Sequence, residues 1–361
     1  MAAKNGIRAE EQELLPIDRR DTCMEAPQRD FGFLRPLRPT IVFESYWRFA
    51  VERQEVYFRR VRGESPPWSA DPVVRSYKFT NTYRAADRVS QYLIRQVIAD
   101  ESRSAADTFF RVLLFKLFNR IETWELLVEK VGNPCVAGFD IARYDQVLSD
   151  SFARGERLYS AAYIMPSGGG KSGYARKHQM HLYLLKGMIQ DGLPARISDA
   201  PTMARAFELL RAYPTIGDFL AYQFATDLNY SHLTNFEESE FVIPGPGAKG
   251  GLRKCFADCG GLSDADVIRL VTARQEECLR TLGLRFPTLW GRPLQLIDCQ
   301  NLFCEVDKYA RVVHPEFSGP TGRTRIKQKL RPSASPMRPL FPVKWGLNDR
   351  LQESPVYVPR S

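Results

Sequence analysis

Apolar residues in this chain recur mainly at three- and four-residue steps, the spacing of helices that bury one face. Neither Gly nor Pro interrupts residues 43–61, and Phe43, Trp47, Ala50, Val51, Gln54 and Phe58 return near helical spacing there. Arg48, Glu52, Arg53, Glu55, Arg59 and Arg60 fall largely on its other faces. The segment GESPPWSADP ends this helix, and Asp71-Pro72 opens a second, with Asp71 as N-cap and Pro72 in the first turn. The second helical region reads VVRSYKFTNTYRAADRVSQYLIRQVI, with an interruption expected at Thr80-Asn81, where side-chain hydrogen bonding competes with the helix. A third helix is predicted from about residue 104 to 130, apolar on more than one side and therefore central. Further helices are expected in FDIARYDQVLSDSFARG, in HQMHLYLLKGMIQDGLP and over residues 199–213. Very little alternates with period two, and no 20–50-residue repeat stands out. The expected fold is mainly α: one helical domain over residues 41–320, an N-terminal extension over 1–40 and a basic, Pro-rich tail over 321–361.

Composition narrows the class. The chain has 361 residues, 44% of them apolar and 12% aromatic, which is enough to build a core and excludes a disordered chain. Its most apolar stretch, residues 109–128, is broken by Arg111, Lys116, Arg120 and Glu122, so no membrane span is expected. The first residues lack the apolar segment of a secretory signal. Seven cysteines are odd in number and sparse, which fits a reducing, cytoplasmic setting better than a disulfide framework.

The net charge is +9, and its position matters more than its size. Residues 321–361 hold nine Lys/Arg against two acids, a local charge of +7, and six prolines. A basic arm of this kind attracts phosphates, or else wraps its own domain. DNA is therefore the expected partner, bound by a monomer.

Several motifs could carry chemistry. GGGKS places Gly170, Lys171 and Ser172 as a phosphate-binding loop would, but Met165 stands where that pattern needs its first Gly, and no suitable strand precedes it. A basic loop touching DNA phosphates through Lys171 and Lys177 is the better reading. Around residue 213 the sequence FELLRAYPTIGDFLAYQFATDL reads as helix, short turn, helix. A tight turn at a helix N-terminus points backbone N–H groups at a phosphate, which makes Thr215 and Gly217 DNA-binding candidates. Beyond it, NFEESEFVIPGPGAKGGLRKCF offers Glu240 as a carboxylate, Asp227 lies within the second helix, and the glycines with Lys249 and Arg253 suggest a phosphate nest. QLIDCQNLFCEVDKYARV adds Asp307 in a charged helical cluster that either positions substrate or packs the helix. Cys and His spacing supports no metal site, and no cofactor is expected.

The turn resembles the helix-hairpin-helix of the DNA glycosylase superfamily. Pro214, Ile216 and Gly217 match its pattern, whereas Thr215 stands where the family usually has Gly, and the position of the lysine nucleophile falls near Phe219. Larger segments, YWRFAVERQEVYFRRVRGESPPWSADPVVRSYKFTNTYRAADRVSQYLIR, YPTIGDFLAYQFATDLNYS with EFVIPGPGAKGGLRKCF, and NLFCEVDKYARV, resemble the helical domain of the 5-hydroxymethyluracil DNA kinases and the associated α-glutamyl/putrescinyl thymine pyrophosphorylases. The resemblance covers residues 46–312. It implies a helix-hairpin-helix, glycosylase-like architecture acting on modified pyrimidines in DNA, with any kinase activity residing in a separate phosphate-loop domain.

Three functions follow as expectations. The first is a glycosylase, serving defence against phages with modified DNA, that flips a modified pyrimidine out of double-stranded DNA and cleaves its N-glycosidic bond. Glu240, Asp227 or Asp307 would then oppose charge on the sugar, Tyr83, Phe79 and Tyr222 would stack on the base, and Arg84 and Arg88 would join the phosphate contacts. The alternative is a transferase that adds an amine to an activated 5-hydroxymethyluracil and releases pyrophosphate. The third is a DNA-binding module without chemistry.

Overall fold

The computed structural model describes residues 29–161, 165, 173–317, 322–332 and 338–353. Helix α1 spans Ile41–Val61, and its start is set by Thr40, whose hydroxyl accepts from the Val42 N–H at 3.2 Å. The short α2 (Pro72–Ser76) is capped by Asp71. After α3 (Arg88–Tyr92) come α4 (Ala105–Phe118), α5 (Ile121–Val131), α6 (Ile141–Ala153), α7 (Lys177–Gln190), α8 (Leu193–Ser198), α9 (Met203–Arg211) and α10 (Asp218–Leu228). The chain continues through α11 (Pro246–Cys255), α12 (Asp264–Ala273), α13 (Gln275–Thr281), α14 (Leu296–Val313) and α15 (Asn348–Glu353). The only sheet among the described residues is the pair of short antiparallel strands β1 (Arg38–Pro39) and β2 (Phe256–Asp258). The fold is mainly α.

Two predicted helices are divided in the structure. The third helix breaks at Asn119, which adopts a left-handed backbone (φ 49°) and ends α4, and α5 restarts at Ile121. The Lys116 ammonium donates to the Asn119 side chain at 2.7 Å and so holds that break in place. The second helical region is more fragmented. Residues 77–83 leave the helix because Arg53 takes the Thr80 and Asn81 carbonyls and the Asp87 carboxylate takes the Asn81 N–H. Downstream, Leu93–Val97 widens into a π-turn. Such turns are uncommon and are frequently found at functional sites.

α11 and α14 form the tightest crossing. A Cβ on Gly251 would lie 1.9 Å from the Phe303 carbonyl oxygen, and one on Gly247 would lie 2.3 Å from the Cys304 sulfur. The glycine cluster read as a phosphate nest is therefore helical, and it serves helix-to-helix contact. Asp307 closes the same crossing with an ion pair to Lys254 on α11 (3.2 Å) and also pairs with Arg311 along its own helix.

Packing continues on both sides of residues 41–320. Phe31, Leu34 and Leu37 are buried in the common core, as are Phe341 and Leu347. Residues 328 and 330 run beside residues 76 and 78 through two backbone hydrogen bonds of 3.0 Å. Residues 338–353 lie across the domain as a strap: Trp345 stacks under Arg292 at 3.8 Å, and the Lys344 ammonium donates to the carbonyls of Ser231 and Thr234.

Candidate functional site

A cleft of about 310 Å³ opens where the last turn of α1, the α3 helix with its π-turn, the start of α5 and the strap meet. Four arginines line it: Arg60, Arg88, Arg95 and Arg338. Ala86, Ile121, Pro339 and the Tyr92 ring supply its apolar wall. Among the described residues, no carboxylate belongs to the lining. Among the described residues, none of the four guanidinium groups forms an ion pair with Asp or Glu. Burial holds the Arg60 guanidinium below its ordinary pKa, a cost that a bound anion would relieve.

The local sequence explains the cleft. Arg88 opens α3, and Arg95 sits in the π-turn seven residues later, two helical turns away on the same side. Gln91, between them, spends its side-chain amide on the Ala85 and Leu340 carbonyls, which fixes the strap as the opposite wall. Arg95 donates to the carbonyl of Arg338 on that strap. Beneath the lining, the Asp87 carboxyl is pushed up to about 7 by burial, against the pull of the Asn81 N–H and Arg53. Glu125 is engaged by the Tyr92 hydroxyl at 3.3 Å.

A second charged cluster lies inside the domain. Asp227 is 0% exposed and is held by Arg84 at 2.8 Å and Lys116 at 3.2 Å. Burial alone would raise its carboxyl, but the two cations hold it below its ordinary pKa. Arg84 also donates to Gln223 at 3.0 Å and lies over the Tyr230 ring, while its backbone N–H donates to Asp298 at 2.8 Å. This cluster can fasten α4 to α10 and to the segment before α3. It offers no open carboxylate to a substrate.

The sequence-derived candidates scatter. Of the carboxylates, Asp227 is enclosed, Asp307 is committed to the α11–α14 crossing, and Glu240 is exposed on a loop away from the cleft lining. Of the stacking candidates, Tyr83 is buried with its hydroxyl donating to the Arg292 carbonyl at 2.6 Å, Tyr222 is buried beside Phe241, and Phe79 packs on Phe49 and Tyr309. Arg84 is buried, Arg253 is paired with Asp264 at 2.8 Å, Lys177 lies over the Tyr159 ring, and Lys249 is exposed on α11. Thr215 has a left-handed backbone (φ 68°) in the turn between α9 and α10, where Gly217 is the N-cap of α10. Lys171 lies outside the described residues. Among the described candidates, only Arg88 belongs to the cleft lining. Arg60, Arg95 and Arg338 were missed as site residues, although the seven-residue step from Arg88 to Arg95 was visible in the sequence.

Among the described residues no group of three His, Cys, Asp or Glu could hold a metal ion, and no helix is long and apolar enough to cross a membrane. The described cysteines are all free.

The family model described as "5-hmdU DNA kinase, helical domain" matches residues 40–319. A protein named 5-hmdU DNA kinase from Bacillus phage SP10 is 28% identical over 289 residues, covering 74% of this chain. The chain spans 45% of that relative's length. No solved structure matches. These similarities overturn the expectation of a glycosylase, because the names are those of a transferase that adds to a base and not of a hydrolase that removes one. Of the three carboxylates, Asp227 is fully enclosed and paired with two cations. With its family model matched over most of its length, this chain belongs to the family of the 5-hmdU DNA kinase helical domain.

Proposed function

We infer that this chain serves a base-modifying transfer reaction on DNA that carries 5-hydroxymethyluracil. The observation behind this reading is the four-arginine cleft, whose described lining holds no carboxylate, in a chain of this family. Transfer at the 5-hydroxymethyl group moves phosphate in one of two senses. Either a phosphoryl group is added to the hydroxymethyl oxygen, or an amine displaces pyrophosphate already attached there. Both concentrate negative charge on phosphate oxygens, and positioned guanidinium groups stabilise such charge and hold it in line. DNA itself is held elsewhere, with the α9–α10 turn at Thr215 and Gly217 and the exposed Lys249 as candidates for its backbone phosphates.

The test is to incubate purified chain with DNA containing 5-hydroxymethyluracil and ATP, and separately with DNA carrying its pyrophosphoryl ester and an amine. The DNA is then digested and its nucleosides weighed by mass spectrometry. A phosphorylated nucleoside in the first arm, or an amine adduct in the second, is expected. Unchanged nucleosides in both arms would overturn the reading.

A further inference from the structure

We propose that the four-arginine cleft binds a polyphosphate chain, and that the strap completes this site by supplying Arg338. The proposal rests on the transferase reading only for the origin of the ligand. Arg60, Arg88 and Arg95 come from one continuous stretch of the chain, whereas Arg338 arrives from a segment 243 residues beyond Arg95. Like charges gathered around one cavity repel, and no carboxylate among the described lining residues offsets them. The nearby carboxylates Asp87 and Glu125 are held by the Asn81 N–H and the Tyr92 hydroxyl, and neither forms an ion pair with any of the four guanidinium groups. An anion is the missing counter-charge.

Charge and donor count select the anion. One phosphate carries a charge of about −1.5 to −2 and three acceptor oxygens near neutral pH. Arg95 already gives one donor to the Arg338 carbonyl and Arg60 lies over the Trp68 ring at 5.2 Å, yet the donors left on the four guanidinium groups still exceed that capacity. A chain of two or three phosphoryl groups matches them. The shape is also selective. A DNA duplex presents its phosphates along a convex surface, whereas this site is concave, with a volume at the low end of small-molecule pockets. The wall of Ala86, Ile121, Pro339 and Tyr92 suits an apolar or planar group attached to the phosphates. The same pyrophosphate chemistry could come from a free nucleoside triphosphate or from a pyrophosphoryl ester on a DNA base.

Strap docking and cleft geometry are one arrangement. Gln91 and Arg95 both belong to the cleft, and both bind strap backbone, at Leu340 and Arg338 respectively. Without the strap the cleft loses one arginine and one wall.

Isothermal titration of the full chain with inorganic pyrophosphate, orthophosphate, ATP and a pyrophosphoryl-methyluracil nucleotide tests the proposal. Pyrophosphate is expected to bind at least about tenfold more tightly than orthophosphate, since it engages more charge-assisted bonds. Arg88→Gln and Arg338→Gln are each expected to weaken pyrophosphate binding about tenfold or more, with an unchanged melting temperature. Arg205→Gln, exposed on α9 and remote in sequence from every lining residue, should bind as the wild type does. Comparing ATP with the modified nucleotide identifies the natural source, and tight binding of either supports the site. Absent pyrophosphate binding, or equal binding by wild type and the Arg88→Gln/Arg338→Gln double variant, would overturn it. If the base-transfer assays fail while these variants still lose pyrophosphate, the site stands and the transferase reading falls.

Discussion

Gln91 and Leu340 hold each other by two hydrogen bonds. The Gln91 side-chain amide donates to the Leu340 carbonyl at 2.8 Å, and the Leu340 N–H donates to the Gln91 side-chain oxygen at 2.9 Å. One side chain thus pairs with the backbone of a residue 249 positions away, much as a neighbouring strand would. This pair decides where the strap crosses the arginine cleft.

Replacing Gln91 with Ala removes these two bonds and the one to the Ala85 carbonyl, and is expected to cost about 3 kcal/mol, at roughly 1 kcal/mol for each of the three. Amide hydrogen exchange at Leu340 should accelerate by more than exchange in α4, because the strap opens before the core does. Equal acceleration in both places would show that the pair has no local role.

Removing residues 321–361 takes Phe341 and Leu347 out of the core, in addition to removing basic charge. Each buried side chain of this kind contributes about 1.5–3 kcal/mol. The truncated chain is therefore expected to unfold at a denaturant midpoint well below that of the intact chain. An unchanged midpoint would mean that the strap only rests on the surface.

Asp227→Asn leaves Arg84 and Lys116 buried around a neutral group. Removing one member of a buried ion cluster costs about 3–5 kcal/mol. Urea unfolding should report a loss of that size, or no soluble protein. Wild-type stability would show that the charge of this carboxylate is not what fastens α4 to α10.

The Asp298 carboxyl is pushed up to about 6 by burial, even though it accepts the N–H groups of Gln295 and Arg84. Its folded pKa lies above its unfolded value, so the folded state binds the extra proton between about pH 4 and 6. Its contribution to stability is therefore greatest at low pH and falls as pH rises through that window. Relative to wild type, Asp298→Asn should gain about 2–3 kcal/mol from pH 4 to pH 7, at 1.36 kcal/mol per unit. A difference that stays constant with pH would contradict a raised carboxyl.

Gly251→Ala forces a methyl group against the Phe303 carbonyl at the α11–α14 crossing. Backbone cannot swing aside as a side chain can, so overpacking here is expected to cost about 2–3 kcal/mol or more. Gly283→Ala makes a useful contrast. Its Cβ would meet nothing within 4 Å, and only its left-handed backbone (φ 64°) resists the change. A smaller fall in melting temperature at Gly251 than at Gly283 would mean that the crossing is looser than it looks.

Much of the helical content was legible along the chain because amphipathic spacing is a local property. α1, α6, α7 and α9 lie where their apolar residues recur, and the break at Thr80-Asn81 was signalled by two residues whose side chains compete for backbone. The break at Asn119 was not signalled, since one left-handed residue inside a strongly apolar run leaves the spacing almost intact. The site was less legible. Arg88 and Arg95 share a helical face, but arginines on a helix face are usually solvated, and nothing local marks Arg60 or Arg338 as their companions.

By itself, the sequence determined a mainly helical chain with a core and a basic C-terminal segment. These follow from residue types and short-range spacing. Only the tertiary structure decided which charges are spent and which are open. Arg84, Asp227 and Asp307 resemble site residues in sequence, yet they neutralise partners in the interior because burial makes an unpaired charge costly. Arg60, Arg88, Arg95 and Arg338 look like ordinary surface arginines, yet the Gln91–Leu340 contact brings the strap across the chain and gathers them around one cavity. Charge convergence of that kind depends on contacts between residues far apart in sequence, which no local pattern encodes.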